Sequence, residues 1–386
     1  MSCYDAFDES HGLKSVSHSL SNTKFIASQF LLSYEPSSPE CVDPNGELFA
    51  TLLCAVNTGL EMAESPRGRE AFANLGCAVV ASRARAGQSA GSTTTDVNAS
   101  NMNWHVNNFL SAVRARCPAL VVGSSKLVSP DQLAATDRMP WWTGSFAAFN
   151  PKAAGVITFN ESRVDDMVAV FKAYADAPAR SSAAKQLGQR WRGFLFVFAC
   201  ATLHELAHLF LGYLSKGERP DTPDDITHLT YGDGRDARGN RIPGGESGRW
   251  VENNLYGGAV EFYADEKQGS SQPGVPHLLD AQAVAYKVDP DVIDRFLMHP
   301  KTNCDGAFVF PLPKLQPGIT RDERRRRRLR TIGAMAGGLP AQYAVPSQSG
   351  LRAMAAARNF PEYSVRLDEL RKKAANPRLP LHVVRV

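Results

Sequence analysis

His204, Glu205 and His208 lie within CATLHELAHLFLGYL, residues 200–214. Residues four apart on a helix share one face, so the two imidazoles converge on a single point and Glu205 stands about 100° round, beside that point. Zinc chemistry uses this arrangement. Two neutral imidazoles ligate the ion at about 2.0–2.1 Å, while the adjacent carboxylate takes a proton from water whose pKa the metal has lowered to about 7. The surroundings are apolar, with FLFVFACATL before the motif and LFLGYL after it. Titratable groups on such a helix are costly to bury unless something neutralises or ligates them. The expectation is one Zn2+ per chain, with His204 and His208 as ligands and Glu205 as the catalytic acid and base.

A catalytic site needs a third protein ligand and an open position. After His208 no histidine follows until His228, so a carboxylate is expected. Glu261 is preferred, because Glu261 and Asp265 in VEFYADE are four apart on an expected helix. Glu261 would then reach the metal while Asp265 accepts the free N–H of His204 and fixes its tautomer. Glu252 and Glu246 are the rivals for the ligand position.

HELAH followed by EFYAD resembles the Glu-zincin metallopeptidases, in which HExxH is completed by a glutamate on a later helix. The form Glu-x-x-Ala-Asp is most similar to that of the HtpX-like endopeptidases. The resemblance implies His204, His208 and Glu261 as zinc ligands, Glu205 as general base and acid, and Asp265 as the orienting group. GESGRWVENNLYGG also resembles a motif of uncharacterised intracellular fungal proteins that carry HExxH, a likeness that implies no substrate.

Other groups carry less. Tyr231, Arg249, Tyr256 and Tyr263 are candidates for stabilising an oxyanion, although aromatics at helical spacing are more often core. His105 and His299 stand alone and read as ordinary surface or cap histidines. GDGRDARG lacks the Lys-Ser/Thr of a phosphate-binding loop, and no Gly-x-Ser-x-Gly elbow occurs. No cofactor beyond the metal is implied. Two rival functions remain open. The same ligands suit iron(II) in an enzyme that tailors a small molecule, or a metal that staples a non-catalytic binding protein.

These residues need a scaffold. Leu48, Leu52, Val56 and Leu60 predict an amphipathic helix over about 46–63, and another is expected around 67–85. Polar, aperiodic residues 87–101 mark a flexible connection. Beyond it the pattern predicts a helix at 104–116, strands at 118–123 and 154–159, a helix capped by Asn160 or Ser162, and the long HELAH helix from Ser182 to Lys216 with Gly217 as its cap. Residues 217–245, rich in Gly, Pro and Asp, predict a lid. Residues 246–269 read as a helix interrupted at Gly257-Gly258, and Asp289-Pro290 opens another. The fold class expected is α+β and helix-rich, a zincin-like metallopeptidase domain with a small sheet. Its parts are a helical region at 1–101, a catalytic domain at 102–310 and a basic helical extension at 311–386.

Composition is that of a globular chain, 43% hydrophobic and 21% charged. Seven scattered cysteines without a CxxC pair imply reduced thiols and no thiolate metal site. No signal peptide is visible, and the apolar run Phe194 to Leu203 is shorter than a bilayer requires. A cytoplasmic chain with no membrane partner is expected, its substrate a peptide or small-molecule amide. The net charge of +4 hides an asymmetry, since residues 321–386 hold 15 Lys/Arg against 5 Asp/Glu. Arg324 to Arg328 follow Thr320 and Glu323, whose spacing is that of a capping box. A solvated helix face is the plain reading of this run. The alternative is a patch for an anionic partner or a nuclear address, while nucleic acid is not expected without aromatic interleaving.

Overall fold

The computed structural model describes residues 32–33, 42–43, 46–86, 97–123, 128, 132–138, 145–216, 222–227, 245–269, 271–298 and 309–332. In chain order these form β1 (Leu32–Ser33), α1 (Glu47–Glu64), α2 (Pro66–Arg85), α3 (Met102–Ala115), β2 (Ala119–Gly123), β3 (Ala134–Arg138), β4 (Gly155–Asn160), α4 (Glu161–Asp176) and α5 (Ser182–Leu214). There follow α6 (Ser247–Tyr256), β5 (Ala259–Tyr263), β6 (Val275–Leu279), β7 (Ala285–Lys287), α7 (Pro290–Met298) and α8 (Arg321–Arg326). The architecture is helix-rich with two small sheets, as the α+β expectation has it.

Everything is arranged around α5. Its 33 residues follow the N-cap Ser181, whose hydroxyl accepts the Ala184 N–H, and its middle is apolar all round, the mark of a helix with no solvent face. By length and composition α5 could cross a membrane, which the run Phe194 to Leu203 alone did not suggest; 94% of its most apolar window is buried within this fold. Against one side packs α1. The contact is close because of Gly59, where a Cβ would lie 2.5 Å from the Ala199 carbonyl oxygen and 2.8 Å from Thr202 Cβ. Gly59→Val is therefore expected to force the two helices apart at the upper end of the about 1–3 kcal/mol that overpacking costs. A chemical-denaturation midpoint equal to that of the unaltered chain would show the helices to be further apart than this.

Helices α1 and α2 belong to the same hydrophobic core as α5, one cluster running from Val42 to Leu312. Polar ties reinforce it. Arg114 on α3 grips Glu64 on α1 with two hydrogen bonds of 2.9 and 2.7 Å and adds a third to Asn57 at 2.6 Å. Behind α6 lies α2, and α1 meets α6 where the Tyr256 hydroxyl donates to Met62 Sδ at 3.3 Å.

The first sheet runs β1-β2-β4-β3; β1, β2 and β4 are parallel, and β3 is antiparallel to β4 with Ala134 opposite Phe159 and Arg138 opposite Gly155. Strand β3 was not legible in AATDR, a stretch with neither β-branched enrichment nor alternation. Pairing with β4 makes it, and it sits at the sheet edge against α5. The second sheet is the antiparallel meander β5-β6-β7.

Several expectations change. Residues 246–269 are not one interrupted helix: α6 ends at Gly257, whose φ of 81° is the left-handed C-cap conformation that glycine adopts without strain, and the chain continues as strand β5. The α5 helix closes with Ser215 as C-cap, and Lys216 takes φ 50°. Among the described residues of the extension from 311, the one helix is the short α8, capped as expected by the Thr320 hydroxyl, which accepts the Glu323 N–H at 3.2 Å. Within the Arg run, Arg324 is buried and donates to the carbonyls of Ala283 and Ile319, while Arg325 to Arg328 are exposed. Most of the expected connection 87–101, most of the lid 217–245, His299, Tyr231 and the basic segment beyond 332 lie outside the described residues.

Candidate metal centre

Two elements make the centre. Helix α5 presents His204, Glu205 and His208, and the N-terminus of α6 presents Glu246, its N-cap residue. The three donor atoms stand close together. His208 Nε2 is 3.3 Å from His204 Nε2, and Glu246 Oε1 is 2.9 Å from the former and 3.4 Å from the latter. Donors about 2.0–2.1 Å from one tetrahedral cation stand roughly 3.3–3.4 Å apart. Two of the three separations match that spacing and the third, 2.9 Å, is shorter, and His204, His208 and Glu246 form a group that could hold a metal.

Each imidazole is set for this by its other nitrogen. His204 Nδ1 lies 2.6 Å from Glu252 Oε1, and His208 Nδ1 lies 2.9 Å from Ser247 Oγ. With Nδ1–H donated in each case, both Nε2 atoms face Glu246, the second-partner arrangement that orients metal-binding histidines. Thr222 Oγ1 in turn donates to Ser247 Oγ at 3.4 Å. Glu246 is steadied by the Gly248 N–H on its Oε1 at 3.1 Å, and its own N–H donates to the Ile226 carbonyl at 2.6 Å. Gly248 is required here, since a Cβ at that position would stand 2.3 Å from the His204 ring.

Charge favours a cation. Burial works to lower the His204 pKa, but Glu246, Glu252 and Glu205 outweigh it and raise it to about 9. Burial works to raise the Glu246 carboxyl, but His208 and His204 hold it down at about 2. Glu205, Glu246 and Glu252 are all buried around the two imidazoles, and buried Arg249 supplies one compensating guanidinium. A proton held on His204, or a cation in its place, offsets the carboxylates that one guanidinium leaves in excess. Buried charge of this kind is otherwise expensive.

Glu205 stands apart from this network. It is 1% exposed, and neither carboxylate oxygen has a hydrogen-bond partner among the described residues. Its main chain is held, because Thr136 on β3 donates to the Glu205 carbonyl at 3.3 Å and Arg138 donates to the His208 carbonyl at 3.4 Å. The group opens on one side: the side chains of His208 and Glu246 are 13% and 12% exposed, whereas His204 is sealed at 0%.

The structure does not bring Glu261 or Asp265 to the histidines. Glu261 sits on strand β5, where its Oε2 accepts the Tyr263 hydroxyl at 2.6 Å and its Oε1 lies 3.8 Å from Arg249. Burial pushes its carboxyl above the usual range against the pull of Arg249. Asp265 lies past the end of β5, accepting from the Lys267 N–H and the Gln268 side chain. The helical spacing that united the two does not exist on an extended chain. Of the rivals, Glu246 is the carboxylate that stands with the two Nε2 atoms, and Glu252 lies against His204 Nδ1. Arg249, Tyr256 and Tyr263 are buried in the core, and His105 is buried with its Nδ1 3.3 Å from the Tyr213 hydroxyl. Ser247 and Gly248 carry one signal in the sequence, their place just after Gly244-Gly245.

Comparison of the chain with protein-family models, with curated proteins and with solved structures returned no match.

Proposed function

We propose that the chain is a zinc-dependent hydrolase of peptide or other amide bonds. The observation that carries this reading is Glu205, a buried carboxylate beside the two imidazoles with no hydrogen bond of its own among the described residues. An unpaired buried carboxylate destabilises a fold, so its retention calls for a role, and a base next to a metal is the role its position suits. A bound zinc ion supplies a Lewis acid that acidifies water and polarises a carbonyl. Glu205 accepts the proton of the attacking water and returns it to the leaving nitrogen. His204, His208 and Glu246 hold the ion, with Glu252 and Ser247 fixing the imidazoles. Strand β3 supports a peptide-like substrate: it is the sheet edge and its side chains touch the HELAH carbonyls, so an extended backbone added to that edge would run alongside the centre.

The test is elemental analysis of the purified chain followed by incubation with a quenched-fluorescent peptide library. About one zinc per chain is expected, with cleavage abolished by a chelator and restored by added zinc. Iron together with oxygen consumption, or zinc without cleavage of any amide substrate, would overturn the assignment.

A further inference from the structure

Behind His204 the polar contacts continue into the body of the fold. Glu252 Oε1 engages His204 Nδ1, while its Oε2 accepts the Val260 N–H at 2.8 Å. Arg249, one turn earlier on α6, donates from Nη1 to the Val260 carbonyl at 2.7 Å and places the same nitrogen 3.5 Å from Glu252 Oε2. Its other terminal nitrogen lies 3.8 Å from Glu261 Oε1. Glu261 is fixed by the Tyr263 hydroxyl, and the guanidinium of Arg324 lies 6.0 Å from the Tyr263 ring centroid. All of these side chains are buried. Glu252 and Glu261 are two carboxyl groups in one low-dielectric layer and Arg249 stands between them, hydrogen-bonded to Glu252 and within ion-pair range of Glu261, a reach its planar fork has and a lysine ammonium lacks.

We propose that Arg249 is a positioning residue of the metal centre, bridging Glu252 and Glu261 so that the carboxylate oriented on His204 cannot swing away. Glu261, held by Tyr263, is the far anchor of the bridge. The inference rests on the metal-site reading of His204, His208 and Glu246. It assigns β5 and the buried arginine a part in ligand geometry, not only in packing. A residue that serves packing alone changes how much chain is folded. One that positions a ligand also changes the affinity and coordination of the metal in the chain that is folded.

The experiment uses the full chain and its Arg249→Met, Arg249→Lys and Glu261→Gln variants, each stripped and reloaded with cobalt(II) as a spectroscopic probe and with zinc in competition with a chromophoric chelator. Folded fraction is followed by circular dichroism. Arg249→Met is expected to weaken zinc binding by about 10–100-fold, the range for losing a partner of a ligating histidine, and to shift the cobalt visible spectrum. Arg249→Lys should recover part of the affinity, and Glu261→Gln should weaken binding by a few fold. If Arg249→Met does not fold, Glu261→Gln decides, because it keeps the side-chain volume. Wild-type affinity and spectrum in the folded variants would overturn the positioning role while leaving the metal site standing. No cobalt or zinc bound by the unaltered chain would overturn both.

Discussion

Glu205→Gln is expected to bind the cation as the unaltered chain does and to hydrolyse its substrate about 10²–10⁴-fold more slowly, the usual worth of a positioned acid-base group. The substitution keeps the side-chain volume and removes the charge. In most buried positions that exchange would break hydrogen bonds, but Glu205 has none to lose among the described residues. The same variant should therefore be about as stable as the parent without metal, because no hydrogen bond is lost. The combination of lost turnover, retained metal and undiminished stability distinguishes a catalytic base from a structural acid. Parallel measurement of kcat, metal content and the denaturation midpoint decides it. A Gln variant that still turns over, or that unfolds, would remove Glu205 from the mechanism.

Glu246→Ala is expected to lose the cation outright, by more than the about 10–100-fold that a partner one bond further out costs. Two imidazoles remain after the substitution, but the third donor, placed 2.9 and 3.4 Å from them, is gone. The loss should be visible as absent metal after dialysis, with activity falling in proportion. Affinities across the series should rank Glu246→Ala weakest and Glu252→Gln intermediate, with Glu261→Gln nearest the parent. Metal retained by Glu246→Ala and lost from a Glu261 variant would reinstate the ligand set that the Glu-zincin resemblance implies.

That contrast marks the limit of what spacing alone conveys. His204, Glu205 and His208 were legible because their convergence depends only on helical period, and the apolar flanks leave no doubt of a helix. Local capping chemistry was legible for the same reason: Asn160 accepts the Arg163 N–H, and Thr320 accepts that of Glu323. The third ligand was not, since which of Glu246, Glu252 and Glu261 meets the histidines is decided by the path of the chain after the HELAH helix. The i, i+4 pairing of Glu261 with Asp265 drew the reading toward helix. AVEFY carries the β-branched and aromatic residues of a strand, and Gly257-Gly258 just before it supplies the stop. Strand β3 had no local signal, because an edge strand of AATDR exists only through its partner β4.

Among the described residues, the groups outside α5 that meet the two imidazoles come from one short segment. Glu246 faces both Nε2 atoms, Ser247 meets His208, Gly248 makes room for the His204 ring, and Glu252 holds its far nitrogen. The centre is thus written in two words, HELAH and ESGRWVE, separated by 37 residues. The spacing inside the second word cannot change, because one helix turns its residues toward both histidines at once. A distant relative built on the same plan would keep Glu-Ser-Gly and a glutamate four residues after the glycine while sharing little else. That pair of words is a more discriminating signature of this centre than HExxH by itself.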